Sequence, residues 1–312
     1  MATKKKSKTP AVRYLRYNLT NSGTAGLETS HFIDLAKDLS ALNRRLYRQG
    51  RSYHVKRISI VSSNTIPSPG QNAGRVTFST APMSWVATAA WKRGFEAWRK
   101  MQRQVLDATG SDVTPTWNDF KVYLSNDMRT GTIVDPIDNG SNVVKQDDWS
   151  YSFYQSPDGT TGADDMSVML LGAHIGAAGA RSAIGLLQSY GDSRATVNDN
   201  SPLVPNALDD DPIANLFDHG TVIDEIAADM RSKGEDPPYD FDEYPGSGTN
   251  VPKPLVVQQT TLGADGRASV GGFEAMCGLI EVEITSPIQS DVYSVLVELA
   301  PGSYRGIAAD VI

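Results

Sequence analysis

A mainly β fold, an antiparallel jelly-roll β-sandwich with two amphipathic helices and a long acidic insertion, is what the sequence predicts. Three observations predict it. About ten short segments are rich in β-branched and aromatic residues, several of them alternating strictly, and only two stretches carry strong helical spacing. Turn dipeptides (Asn139-Gly140, Asp158-Gly159 and Asp265-Gly266) separate the strands as hairpin turns do. With that many strands and long connections, the jelly roll is the common arrangement.

The elements follow in order. Residues 1–29 read as a basic N-terminal arm (Lys4, Lys5, Lys6, Lys8) and an extended segment in which Val12, Tyr14 and Tyr17 alternate; residues 30–312 read as the sandwich. Leu35, Leu39, Leu42 and Leu46 fall on one helical stripe, with Thr29/Ser30 as the expected cap, Gly50 as the stop, and Arg44, Arg45, Arg48 and Arg51 in the last turn and exit. Strands are expected over 53–62 and 75–80. A second helix starts at Ser84, with Trp91, Phe95, Trp98, Met101 and Val105 on its core stripe.

After Gly110 the pattern returns to β. Alternation in Phe120, Val122 and Leu124, and again in Trp149, Tyr151 and Phe153, reads as strand, as do 166–171, 183–190, 255–262, 275–284 and 292–299. The interruption is 198–248, with 13 acidic residues, several prolines and one short expected helix from Thr221 to Lys233.

Charge is divided sharply along the chain. The net charge of −7 conceals 19 Lys/Arg against 4 acids in residues 1–103, so the first third is strongly basic and the rest strongly acidic. Such a division points to two surfaces with different partners. Lys4, Lys5, Lys6, Lys8, Arg13, Arg16, Arg44, Arg45, Arg48 and Arg51 are the candidate nucleic-acid contacts, because phosphate binding needs clustered cations and little else. Asp209, Asp210, Asp211, Asp240 and Asp242 place enough carboxylates together to suit calcium, although their spacing is not that of an EF-hand loop and a solvated loop is the simpler reading.

Other chemistries find no support. There is no phosphate-cradling glycine loop, no H-E-x-x-H and no G-x-S-x-G; the four histidines are scattered, and His174 reads as a hydrogen-bonded core residue. The lone Cys277 reads as a buried, inert thiol and forms no intramolecular disulfide. The N-terminus is too polar for a signal peptide, and 166–180 is too short and too interrupted to span a bilayer.

Four segments, LSALNRRLYRQG (39–50), TAPMSWVATAAWKRGFEAWRKM (80–101), PLVVQQTTLG (254–263) and YSVLVELAPGSYRG (293–306), resemble coat proteins encoded by small circular single-stranded DNA viruses. The resemblance implies a non-enzymatic capsid subunit that self-assembles into an icosahedral shell around a single-stranded DNA genome, found in the virion and, during assembly, in the host cell. It carries over no catalytic residues and no obligatory cofactor. Many such coats have a long arginine-rich arm; four lysines here imply weak, sequence-independent binding. The alternatives are a double jelly-roll coat of a lipid-containing phage, a carbohydrate- or surface-binding sandwich stacking ligands on Trp117, Trp149, Tyr151 and Tyr154, and a jelly-roll hydrolase using the acidic insertion.

Overall fold

The computed structural model describes residues 11–62, 74–109, 119–144, 149–157, 163–177, 180–192, 254–263 and 265–312. Along the chain run β1 (Tyr14–Thr20), β2 (Glu28–Asp34), α1 (Leu35–Asn43), β3 (Arg51–Ser62), β4 (Arg75–Thr80), α2 (Trp85–Thr109), α3 (Asn126–Thr130) and β5 (Thr132–Ile133). Then come β6 (Phe153–Pro157), β7 (Ala163–Met169), β8 (Ala183–Gly185), α4 (Leu186–Asp192), β9 (Leu255–Thr261), β10 (Arg267–Val270), β11 (Phe273–Met276), β12 (Leu279–Thr285) and β13 (Val292–Leu299). The short β14 (Pro301–Gly302), β15 (Gly306–Ile307) and β16 (Ala309–Val311) finish the chain.

The fold is mainly β, and its two large sheets are compatible with a β-sandwich. In the first, the order is β1-β13-β3-β10, with β11 and β16 also paired to β3; in the second it is β5-β2-β12-β4-β9. Every pairing in the two sheets is antiparallel except the short β2–β5 ladder. The pairing is nested: β1 with β13, β2 with β12, β3 with β10 and β11, β4 with β9. The β13–β3 and β12–β4 ladders then join these pairs into sheets.

Alternation explains the first sheet. Leu15, Tyr17 and Leu19 of β1 and Tyr293, Val295, Val297 and Leu299 of β13 point inward and are buried, and the residues between them are largely open to solvent. These side chains share one core with Ile33, Val76, Phe78, Ile280, Val282 and Ile284 of the second sheet, so the two sheets pack face to face.

The second sheet is covered on both faces along β2, β12 and β4, while its edge strand β9 is largely exposed. Neighbouring residues of one strand enter different cores: Ile33 and Ile280 face the first sheet, while Phe32 and Leu279 face a second cluster containing Val86, Trp91 and Trp98 of α2, with Phe120, Val122 and Leu124. The second expected helix begins one residue later than read, at Trp85, and Ser84 caps it, its Oγ accepting from Ala87 N at 3.1 Å. Met101 of the predicted stripe is half-buried, and the side chain of Val105 lies outside the described residues. A three-stranded sheet, β6-β7-β8, and α4 complete this outer layer.

Several expectations are corrected. The first helix begins at Leu35, capped by Asp34, because Thr29 and Ser30 are held in β2 by its ladder with β12. It ends at Asn43, with Arg44 left-handed (φ 53), so Leu46 lies beyond it. Residues 120–124 form no strand: the apolar side chains are buried, but the backbone makes a single bridge, Tyr123 to Met169. Trp149 and Tyr151 precede β6, and 183–190 is a three-residue strand running into α4, its apolar residues serving the helix layer.

The expected strand 275–284 is two strands in different sheets. They are joined through a turn closed by Gly278 N to Ala275 O at 3.0 Å, in which Cys277 (φ 59) and Gly278 (φ 73) are both left-handed. Asp265-Gly266 likewise connects strands of different sheets, β9 and β10, and Asn139-Gly140 closes only an isolated bridge between Ile137 and Val143. Four helices, not two, are described. The segment Tyr14–Thr20, grouped with the arm in the sequence, is a strand of the first sheet. The acidic segment 198–248 and the Asp158-Gly159 turn lie outside the described residues.

Candidate nucleic-acid interface

The loop from α1 to β3 is shaped by side chains that alternate between core and solvent. Tyr47 and Gln49 are buried while Arg44, Arg45 and Arg48 are exposed. Ser40 Oγ donates to Ala36 O at 2.6 Å and accepts from Tyr47 N at 2.7 Å, which folds the loop back onto the helix. Gln49 is held from both ends, donating to Asp34 at 2.7 Å and accepting from Val122 N at 2.7 Å. The arginines therefore extend from a fixed backbone, and not from a last helical turn.

The C-terminal turn adds residues that sequence proximity did not suggest. Between β14 and β15, Tyr304 N and Ile307 O are 3.0 Å apart, and Arg305 is left-handed (φ 52). The Tyr304 ring lies under the Arg51 guanidinium at 3.7 Å, with Arg305 at 5.8 Å, and meets Tyr47 edge-on at 5.8 Å. Tyr304 OH accepts from Arg48 N at 3.1 Å, Tyr47 OH donates to Arg305 O at 3.0 Å, and the Arg305 guanidinium donates to Leu46 O. Burial pushes the Tyr47 phenol up, while the positive charges of Arg45 and Arg305 pull it part of the way down.

Five arginines (44, 45, 48, 51 and 305) thus gather at one end of the first sheet. Arg48 is paired with Asp119 at 2.8 Å; among the described residues the other four have no carboxylate within ion-pair distance. Burial raises the Asp119 carboxyl, and Arg48 and Lys121 offset part of that rise.

The chain joins this end from its N-terminal side. Val12 N donates to Asn43 Oδ1 at 2.7 Å, Asn43 Nδ2 donates to Val12 O at 3.1 Å, and a Cβ on Gly306 would come within 2.7 Å of Ala11 Cβ. Position 306 is thus closed to other residues by space and by its φ of 95. Arg13 donates to Leu299 O at 3.2 Å beside this end, whereas Arg16 sits on the open face of the first sheet opposite Leu296. Lys4, Lys5, Lys6 and Lys8, and the calcium candidates Asp209, Asp210, Asp211, Asp240 and Asp242, lie outside the described residues.

A second polar cluster is buried. Asp34 Oδ1 accepts from Lys37 N at 3.0 Å, and its Oδ2 accepts from Gln49 and, at 3.1 Å, from Tyr151 OH. Asp38 accepts from Tyr17 OH at 2.5 Å, and Lys37 Nζ lies 2.7 Å from Asp135 and 3.7 Å from Asp38. Burial pushes both Asp34 and Asp38 carboxyls up, Asp38 strongly, against the pull of Lys37 and the phenols. This cluster pins α1 to both sheets.

The aromatic residues proposed for sugar stacking are committed elsewhere. Tyr151 is bonded to Asp34 and stacked on Tyr123 at 4.0 Å, Tyr154 donates to Gly94 O at 2.7 Å, and Trp149 lies under Lys121 at 4.8 Å; Trp117 is outside the described residues. His174 accepts from Gly185 N at 3.1 Å, and Cys277 is fully buried with its thiol pushed well up by burial. No described helix is long and apolar enough to cross a membrane.

Comparison of the chain with models of known protein families, with curated proteins and with solved structures finds no match in any of the three.

Proposed function

We propose that the protein is a jelly-roll coat subunit that self-assembles into an icosahedral shell around single-stranded DNA. The nested pairing carries this reading. Taking β10 and β11 as one, the eight main strands pair first with eighth, second with seventh, third with sixth and fourth with fifth. Such pairing is what a long antiparallel hairpin rolled into two sheets would give, and it supports the jelly-roll reading; jelly rolls serve as viral coats but also as lectins and small enzymes.

Charge selects among those uses. An arginine cluster with four members that have no carboxylate partner among the described residues stands where the lysine-bearing arm joins the fold, a combination suited to a polyanion. Guanidiniums extending from a fixed backbone meet phosphates without reading bases, so binding is weak, independent of sequence and salt-sensitive. The reading includes no catalytic step and places the protein in the virion and, during assembly, in the host cell.

Light scattering and negative-stain microscopy of the purified full chain test it. Closed particles carrying nucleic acid are expected; a strict monomer at every salt and protein concentration overturns it. In the triple variant Arg44→Ala, Arg45→Ala, Arg305→Ala, particles should persist with less nucleic acid. The slope of log affinity for single-stranded DNA against log salt should become shallower by about 2.

A further inference from the structure

On the open face of the first sheet, three strands separated widely in sequence bring together a mixed-donor cluster. His54 of β3 is in register with Glu274 of β11 on one side, and β16 runs along the other side with Asp310 beside it. Asp310 Oδ2 lies 2.7 Å from Nε2 and Glu274 Oε1 lies 3.3 Å from Nδ1. One donor atom from each residue can be chosen so that all three lie within 4.8 Å of one another.

The backbone of the histidine is fixed on the β16 side, where its N–H donates to Ala308 O at 3.1 Å and its carbonyl accepts from Ala300 N at 3.0 Å. The imidazole is 29% exposed and the carboxylates 45% and 78%. A positioned ring is therefore flanked by two acids with room to turn.

We propose that His54, Glu274 and Asp310 form a binding site for a divalent transition-metal ion, zinc fitting best. An imidazole nitrogen with two carboxylate oxygens is a borderline donor set that suits zinc, whereas calcium wants six to eight oxygens. Two carboxylates also balance the charge of the ion. Metal–donor distances of about 2.0–2.2 Å correspond to donors roughly 3–4 Å apart, within reach of small side-chain rotations. The ion takes Nε2 next to Asp310, and the Glu274 carboxylate turns from the Nδ1 side to become the third ligand, leaving a fourth position for water. Its effect is mechanical: it fastens β16 and β11 to the strand between them.

Titration calorimetry of zinc chloride into the full chain, dialysed first against chelator, tests the site. One ion per chain with micromolar affinity is expected. His54→Gln should weaken binding at least tenfold, and Asp310→Asn, at a more exposed position, should weaken it similarly. Zinc should raise the melting temperature of the unaltered chain, because a ligand of the folded state stabilises it, and calcium at the same concentration should not. Binding of less than a tenth of an ion per chain, or affinity unchanged in both variants, overturns the proposal whether or not the chain forms shells.

Discussion

The two large sheets differ in what lies behind them. The first has one face in the shared core and the other in solvent, where Tyr14, Val61 and Leu296 are 50%, 44% and 40% exposed. The second has that core on one side and the α2 layer on the other, and five of the six residues of β4 are buried. The difference teaches that cohesion is concentrated in the second sheet, while the first holds its surface available: Arg16 and the His54 group stand on it and the arginine cluster lies at its end.

Paired substitutions should separate the two. Phe32→Ala, on the α2 side of the second sheet, should cost about 3–5 kcal/mol in urea unfolding. Leu296→Ala, on the open face of the first, should stay within about 0.5 kcal/mol. Equal losses would erase the distinction.

Gly50→Ala probes the seam between the loop and α2 more gently. The added Cβ would stand 2.7 Å from Trp91 Cη2, and overpacking of this kind costs about 1–3 kcal/mol, read in the same assay.

The buried cluster at α1 joins the sheets, since Tyr17 comes from the first and Asp34 from the second. Because folding raises the Asp34 and Asp38 carboxyls, the folded chain holds these protons more tightly. Their contribution is whole below the ordinary carboxylate range and is lost as pH rises through it toward the raised folded values. Asp38→Asn keeps an acceptor for Tyr17 and removes the charge, so its stability from pH 5 to 9 should fall less than that of the unaltered chain. Identical slopes would show that the cluster does not titrate between the sheets.

The smallest expected effect is on the open face itself. Arg16→Ala should leave stability within about 0.5 kcal/mol and reduce the salt slope of DNA binding by less than one, because Arg16 stands apart from the five clustered arginines. A loss equal to that of Arg305→Ala would extend the interface across the sheet.

Legibility in the sequence followed the same division. β4 announced itself by alternation through Val76, Phe78 and Thr80 and β3 by its β-branched content, and 292–299 was legible as the strand β13, whereas β1 groups with the arm because Val12, Tyr14 and Tyr17 do not share one face. The second layer was obscured for two reasons: Phe120, Val122 and Leu124 alternate and are buried as a strand's residues would be although the backbone makes no strand there, and the apolar run at Ala183, buried as a block, was divided between strand and helix. Thr29 and Ser30 made a plausible cap, but the ladder to β12 outweighed the local signal. Of the candidate interface, Arg44 to Arg51 were visible as neighbours in sequence. Arg305, Tyr304 and the His54 group depend on strands meeting across more than two hundred residues, and no local pattern records that.

Nested pairing also sets a timetable. Tyr14 and Glu298 lie 284 positions apart, so at about 5–20 residues per second of synthesis β1 waits roughly 15–60 s for the strand beside it. During that interval Leu15, Tyr17 and Leu19 have no sheet to enter, and closing so long a loop makes the last pairing slow. The first 103 residues carry a large surplus of positive charge, and like charge opposes association between chains whose strands are still unpaired.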